Sequence, residues 1–98
     1  MTNTFKNVAQ EWFGKISHTW VSAHAGTTRR MLERDIYPFI GDKSISKILP
    51  GDVLAALRKI ESRGFAAHRA CQVCGQVFRF GIASGMTATD PSMMLKYG

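Results

Sequence analysis

Long hydrophobic runs are missing from this sequence, and so is a secretion signal. No apolar stretch approaches the roughly 18 residues that a membrane-spanning helix requires. The amino terminus, Met-Thr-Asn-Thr-Phe-Lys, lacks the basic segment followed by an apolar stretch that marks a signal peptide. We therefore expect a cytoplasmic protein without a membrane partner.

Strand patterns, repeats and low-complexity linkers are also missing. No stretch alternates convincingly between apolar and polar residues at a period of two. A chain of 98 residues can close one hydrophobic core but not two. We therefore expect a single all-α domain over residues 1–98.

The motifs of common enzymes are absent as well. The sequence has no nucleophile elbow, no paired-carboxylate pattern and no phosphate-binding loop. A zinc site would need four ligands, and His68 is the only histidine near Cys71 and Cys74. We expect no enzymatic activity, no cofactor, no metal and no small-molecule substrate.

Cys71 and Cys74 are the only cysteines, and they are separated by two residues. A redox pair would place the first thiol at a helix N-terminus, where its pKa falls. Here both lie on the apolar side of a predicted helix, which favours buried and inert thiols. A small thiol enzyme stays open as a third interpretation, and it predicts a reactive thiolate near neutral pH.

Acidic residues are scarce. The sequence has seven Asp and Glu residues and thirteen Lys and Arg residues, which gives a net charge of +6 and a pI near 9.8. Such an excess favours a polyanionic partner, nucleic acid above all, because binding releases the polyanion's counterions. The excess is spread evenly along the chain, so linear clustering adds no support. A helical protein-interaction module whose basic surface docks acidic partners is the alternative.

Helical spacing predicts the first half of the fold. Thr4 is the expected N-cap of a first helix, and a second helix should start at Ser22 or Thr27. This second helix should end at Tyr37, because Pro38 cannot continue it. Residues 39–43 then read as a turn and residues 44–49 as an irregular connection. The apolar stripe of the first helix is Phe5, Val8, Ala9, Trp12, Phe13 and Ile16, and that of the second is Met31, Leu32 and Ile36.

The second half of the chain has clearer signals for where its helices begin and end. Pro50 suits the first position of a third helix, with Asp52 near its positive end and Gly64 as C-cap. A fourth helix is expected from Ala66 to Ser84, stopped by Gly85, and Asp90 and Pro91 should begin a further short helix. The residues expected to face inward are Val53, Leu54, Leu57 and Ile60, then Cys71, Cys74, Val77, Phe78, Gly81 and Ile82.

The polar sides of the second and fourth helices are the candidate functional surface. Arg and Gln can make paired hydrogen bonds to base edges and phosphates. The competing interpretation is an ordinary solvated face. Glu33 and Asp35 could also form ion pairs with the arginines of the second helix, which would make those arginines unavailable to a ligand. The residues concerned are Thr27, Arg30 and Arg34 on the second helix and His68, Arg69, Gln72, Gln76 and Arg79 on the fourth.

Taken in order, these landmarks resemble the core-binding domain of P4-like phage integrases, which are tyrosine recombinases. The resemblance covers nearly the whole chain. It departs from the family at Leu49, where a Ser or Thr usually caps the third helix, and at Gly26 and Gly81. The matching segments are Phe5, Val8-Ala9, Glu11-Trp12, Trp20, Ile36-Tyr37-Pro38-Phe39-Ile40-Gly41, Ile45, Ile48, Val53-Leu54, Leu57, Ile60-Glu61, Gly64, Val77-Phe78-Arg79-Phe80-Gly81-Ile82 and Asp90-Pro91.

The resemblance implies a compact orthogonal, SAM-like bundle of about four helices that grips one side of the crossover-site duplex during DNA integration and recombination. It also implies that the catalytic Arg, His and Tyr belong to a downstream domain, and that the full-length protein is tetrameric on its double-stranded DNA attachment site. Combined with the polar sides above, it implies these DNA-binding residues: Thr27, Arg30, Arg34, Lys43, Arg69, Gln72, Gln76 and Arg79.

Overall fold

The computed structural model describes residues 3–95, so the first two and last three positions of the predicted domain lie outside the described residues. Within residues 3–95, four α-helices form the bundle: α1 (Phe5–Ile16), α2 (Ser22–Met31), α3 (Pro50–Arg58) and α4 (Ala66–Ala83). The second continues directly into a π-helical segment, Leu32–Gly41. Between residues 3 and 95 there is no β-strand, and the all-α prediction is confirmed.

Helix α1 forms as its spacing predicts. The Thr4 hydroxyl oxygen accepts a hydrogen bond from the Asn7 backbone N–H at 3.1 Å, which satisfies a donor of the first turn. Phe5, Val8 and Trp12 are buried. The Phe5 ring lies 5.3 Å from the Phe78 ring, centroid to centroid, which fixes α1 against α4.

The predicted end of the second helix is wrong. The chain starts this helix at Ser22 and stays helical through Pro38 to Gly41, so only Asp42 and Lys43 remain of the expected turn. A π-helix bonds each N–H to the fifth carbonyl before it, and this wider turn relieves the clash between a proline ring and the fourth carbonyl. Gly41 suits the end of the segment, because a Cβ there would lie only 2.9 Å from the Tyr37 Cβ.

Helix α3 begins at Pro50, as predicted, but it ends at Arg58 rather than near Gly64. Its missing cap is partly replaced, since the Asp52 carboxylate accepts the Leu49 backbone N–H at 3.0 Å. A short 3-10 turn, Glu61–Arg63, follows α3, and Gly64 closes that turn at φ 71°. Gly64 is therefore the cap of the turn and not of α3.

Helix α4 runs the predicted course and stops before Gly85, which has φ 75°. Ile82 is an exception to the predicted inward set, because it is 40% exposed, and Leu54 is only half-buried. Asp90 caps a final 3-10 turn, Pro91–Met94, as expected. No helix within the described residues is long and apolar enough to cross a membrane.

The core takes one apolar stripe from each helix and from the π segment. It leaves the polar sides of α2 and α4 facing outward beside each other. The largest fully buried side chains in it are Phe5, Phe78, Leu32, Ile36, Ile40, Ile45 and Leu57.

Candidate nucleic-acid interface

Helix α4 exposes four of the polar side chains that the sequence singles out. Arg69, Gln72, Gln76 and Arg79 recur at spacings of three and four along α4, and all are exposed. His68, on the same side in the sequence interpretation, is half-buried. The helix therefore presents two guanidinium and two amide groups in a row.

Helix α2 and its π continuation expose Thr27, Arg30 and Arg34. The Thr27 hydroxyl donates to the Ala23 carbonyl at 2.9 Å, which leaves its oxygen able to accept a bond from a ligand. Arg30 folds back over Gly26, where a Cβ would lie 3.3 Å from the arginine Nη1. The glycine that departs from the family pattern thus leaves room for this arginine.

Three adjoining hollows join these two sets of side chains. One is lined by Thr27, Arg30, Arg34 and Arg69, among others. The next shares Arg69 and adds His24, Gln72 and Gln76, and the last shares both glutamines and adds Arg79. We call this surface the α2–α4 face, and it contains seven of the eight predicted residues: Thr27, Arg30, Arg34, Arg69, Gln72, Gln76 and Arg79.

Lys43 is the eighth predicted residue, and it does not line any of these three hollows. It follows the π segment, where its backbone carbonyl accepts the Phe5 N–H at 3.0 Å. The side chain is exposed. Its proposed role therefore gains no support from the α2–α4 face.

Arg34 is paired with its neighbour Asp35, as the sequence allowed. Its Nε and Nη2 donate to the two carboxylate oxygens at 3.1 and 3.2 Å. A second arginine, Arg63, donates to Oδ1 of the same carboxylate at 2.7 Å. Burial raises the pKa of Asp35, but the hydrogen bonds and charges of the two arginines together outweigh it and hold that pKa below its usual value. Arg34 itself stays 66% exposed, so the ion pair does not remove it from the surface.

Glu33, the other acid expected to compete, faces another part of the molecule. It lines a separate hollow with Lys6 and Tyr37. The contribution of Arg63 was missed, because no periodic pattern relates it to a carboxylate 28 residues earlier.

Arg79 lies near a second buried carboxylate, that of Asp90, but makes no hydrogen bond to it. The arginine Nη1 lies 3.6 Å from Oδ2 of Asp90, whose side chain is only 1% exposed, whereas that of Arg79 is 61% exposed. The other carboxylate oxygen accepts the backbone N–H and the hydroxyl of Ser92. A buried acid in the last 3-10 turn therefore lies beside an exposed arginine on α4.

The cysteines are buried within α4, as predicted. Burial raises the pKa of both the Cys71 and the Cys74 thiols. A thiol enzyme needs the opposite shift, so the structure argues against that interpretation. In the part of the chain that the structure describes, no three His, Cys, Asp or Glu side chains gather as a metal site.

Comparison with known proteins identifies what this bundle resembles. The family model described as phage integrase central domain matches residues 5–97. The chain is 33% identical over 92 residues to the integrase of Shigella phage Sf6, and equally to the prophage integrase IntS of Escherichia coli K12. In both comparisons the match covers 92% of this chain and 24% of the relative. The chain thus spans about a quarter of the length of these relatives.

Solved structures match the bundle too. The solution structure of fragment 87–196 of E. coli IntS aligns with a TM-score of 0.85 at 32% identity, covering 93% of this chain and 79% of the fragment. A fragment from Clostridium leptum aligns with a TM-score of 0.86 at 18% identity, covering 98% of this chain and 89% of that fragment, and shares the fold.

Proposed function

The chain belongs to the phage integrase central-domain family, and from this premise we propose that it binds the crossover-site duplex through the α2–α4 face. The central domain carries no catalytic residues, so this chain is not itself an enzyme. In the proposal, strand cutting and joining are performed by another part of the parent recombinase, while this domain holds the attachment site for integration and recombination. The parent protein acts as a tetramer on that DNA.

One observation carries the proposal: exposed arginines of α2, its π continuation and α4, together with two glutamines of α4, line the three adjoining hollows of the α2–α4 face. Phosphates are bound by guanidinium groups, and base edges in the major groove by Arg and Gln. Phosphate contacts should dominate, with sequence read only modestly. We assign DNA contacts to Thr27, Arg30, Arg34, Lys43, Arg69, Gln72, Gln76 and Arg79, of which Lys43 lies outside the α2–α4 face.

The test is a titration of the chain against a fluorescein-labelled duplex at several salt concentrations. Each neutralised phosphate should contribute about −0.9 to the slope of log K against log salt. A salt-independent affinity, or no binding, would contradict the proposal. A labelled polyglutamate of matched charge is the control for the alternative, a module that docks acidic proteins. That alternative predicts tight binding to the polypeptide and none to the duplex.

A further inference from the structure

Asp35 forms ion pairs with two arginines that lie far apart in the sequence. Arg34 is its neighbour in the π segment, and Arg63 ends the 3-10 turn before α4. Both donate to one carboxylate whose side chain is only 4% exposed. The guanidinium groups are therefore fixed relative to each other by a third residue.

Both arginines keep donors for a ligand. A guanidinium has five N–H groups, and Arg34 uses two of them on Asp35 while Arg63 uses one. Their side chains are 66% and 43% exposed. Each can therefore bind a phosphate oxygen without leaving the carboxylate.

The cluster is positively charged, because two guanidinium groups surround one carboxylate. It lies beside further positive charge, since Asp35 and Arg34 line the same hollow as Arg30 and Arg69. An anion is the ligand that this arrangement fits. Because Asp35 already orders two long side chains, less entropy is lost when the anion binds.

Stability alone is a poor reason for such a cluster. An ion pair between a buried carboxylate and exposed arginines contributes little net stability, because desolvating the carboxylate offsets the attraction. Holding exposed donors at a fixed separation is a role that an apolar residue could not supply.

We propose that Arg34 and Arg63 form a binding site for a backbone phosphate of the duplex, and that Asp35 is the residue that positions both. This inference rests on the proposed function and adds to it Arg63, which lies outside the eight residues assigned above. The site is at the end of the α2–α4 face where α4 begins.

The experiment compares Arg63→Ala with Lys6→Ala in the same duplex titration. Lys6→Ala removes the same charge from the separate hollow that Lys6 shares with Glu33 and Tyr37. We expect Arg63→Ala to weaken binding by about fivefold and to reduce the salt slope by about 1, whereas Lys6→Ala should have a clearly smaller effect. Equal effects of the two variants would overturn the inference.

The direction in which Asp35→Asn changes the affinity for the duplex tests the positioning role. This variant removes one negative charge and so raises the net charge by one. A purely electrostatic role therefore predicts tighter binding at low salt. Positioning predicts binding weaker by threefold or more, because the two guanidinium groups are released. Circular dichroism at the assay temperature checks folding. If Asp35→Asn does not fold, the affinities of Arg63→Ala and Arg63→Lys test the phosphate site in its place. Arg63→Lys should recover only part of the affinity, since a lysine lacks the fork that reaches both the carboxylate and a phosphate.

The two proposals fail differently. A wild-type chain without salt-dependent duplex binding would contradict the proposed function itself. A wild-type chain that binds, with Arg63→Ala no weaker than Lys6→Ala, would leave the proposed function intact and remove only the phosphate site.

Discussion

Arg69 on α4 lies 3.0 Å from His24 on α2, measured from Nη2 to Nδ1. The His24 ring is itself fixed by Trp20, with centroids 4.5 Å apart and planes inclined at 71°. When the imidazole is neutral with its proton on Nε2, Nδ1 accepts from the guanidinium. This contact joins the two helices whose polar sides form the α2–α4 face, and it places the arginine at the shared edge of two hollows.

The central position of Arg69 makes it the most direct test of the α2–α4 face. We expect Arg69→Ala to weaken duplex binding by about five- to tenfold and to lower the salt slope by about 1, because a phosphate or base contact is lost. Its melting temperature should stay close to wild type, since the residue is exposed. Fluorescence anisotropy and thermal denaturation measure the two quantities, and wild-type affinity in this variant would mean that DNA binds elsewhere.

Arg79 should behave differently from Arg69, because the acid beside it is buried. Arg79→Ala leaves the Asp90 carboxylate buried without its cationic partner. We expect a loss of about 0.5–1 kcal/mol in the free energy of unfolding, because Arg79 is largely exposed and makes no hydrogen bond to the carboxylate.

A double-mutant cycle with Asp90→Asn isolates that effect. Asparagine retains Oδ1 as an acceptor for Ser92 but carries no charge, so Arg79→Ala should cost little in this background. Chemical denaturation of the four proteins gives the coupling. A coupling energy near zero would show that Arg79 and Asp90 do not stabilise each other.

Asp35 predicts a pH dependence of stability. Its pKa is held below the ordinary value of 3.8 by Arg34 and Arg63, in spite of the opposing effect of burial. The unfolded chain therefore binds a proton more readily than the folded one, and stability rises with pH through this range. The contribution is present above pH 3.8 and is lost as pH falls through the folded pKa.

Asp35→Asn should remove that contribution. Melting temperatures from pH 7 down to pH 2.5 should fall less steeply below pH 4 in this variant than in wild type. Parallel curves for the two proteins would contradict the low pKa of Asp35.

The two thiols give a prediction about accessibility. Cys71 and Cys74 are buried on α4, and burial raises the pKa of each. Both should react slowly with a disulfide reagent near neutral pH in the native protein, and rapidly in denaturant. Fast labelling of the native chain would restore the thiol-enzyme interpretation.

Local signals were enough to predict α1 and α4. Thr4 caps α1 and Gly85 follows the end of α4, and both act within a few residues of the boundary that they define. The rule for Pro38 failed because tertiary packing outweighed it. Leu32, Ile36 and Ile40 recur at every fourth position and are all buried, so continuing the helix past the proline keeps this stripe in the core.

The candidate site was predictable only in part, for the same physical reason. Exposed side chains on one helix follow from its periodicity, and this was sufficient for Arg69, Gln72 and Gln76. Contacts between distant segments have no local pattern. The His24 to Arg69 contact spans 45 residues and the Arg63 to Asp35 contact spans 28, and only the fold brings these groups together.

Two glycines offer a matched pair for testing the backbone. Gly14 lies within α1 and nothing lies within 4 Å of an added Cβ, so Gly14→Ala should raise the free energy of unfolding by about 0.5–1 kcal/mol through helix propensity. Gly85 has equally open surroundings, but its φ of 75° is a conformation that an L side chain rarely adopts. Gly85→Ala should therefore lower the free energy of unfolding by about 1 kcal/mol. Urea denaturation measures both, and because neither methyl group meets a neighbour, effects of the same sign would contradict the left-handed turn after α4.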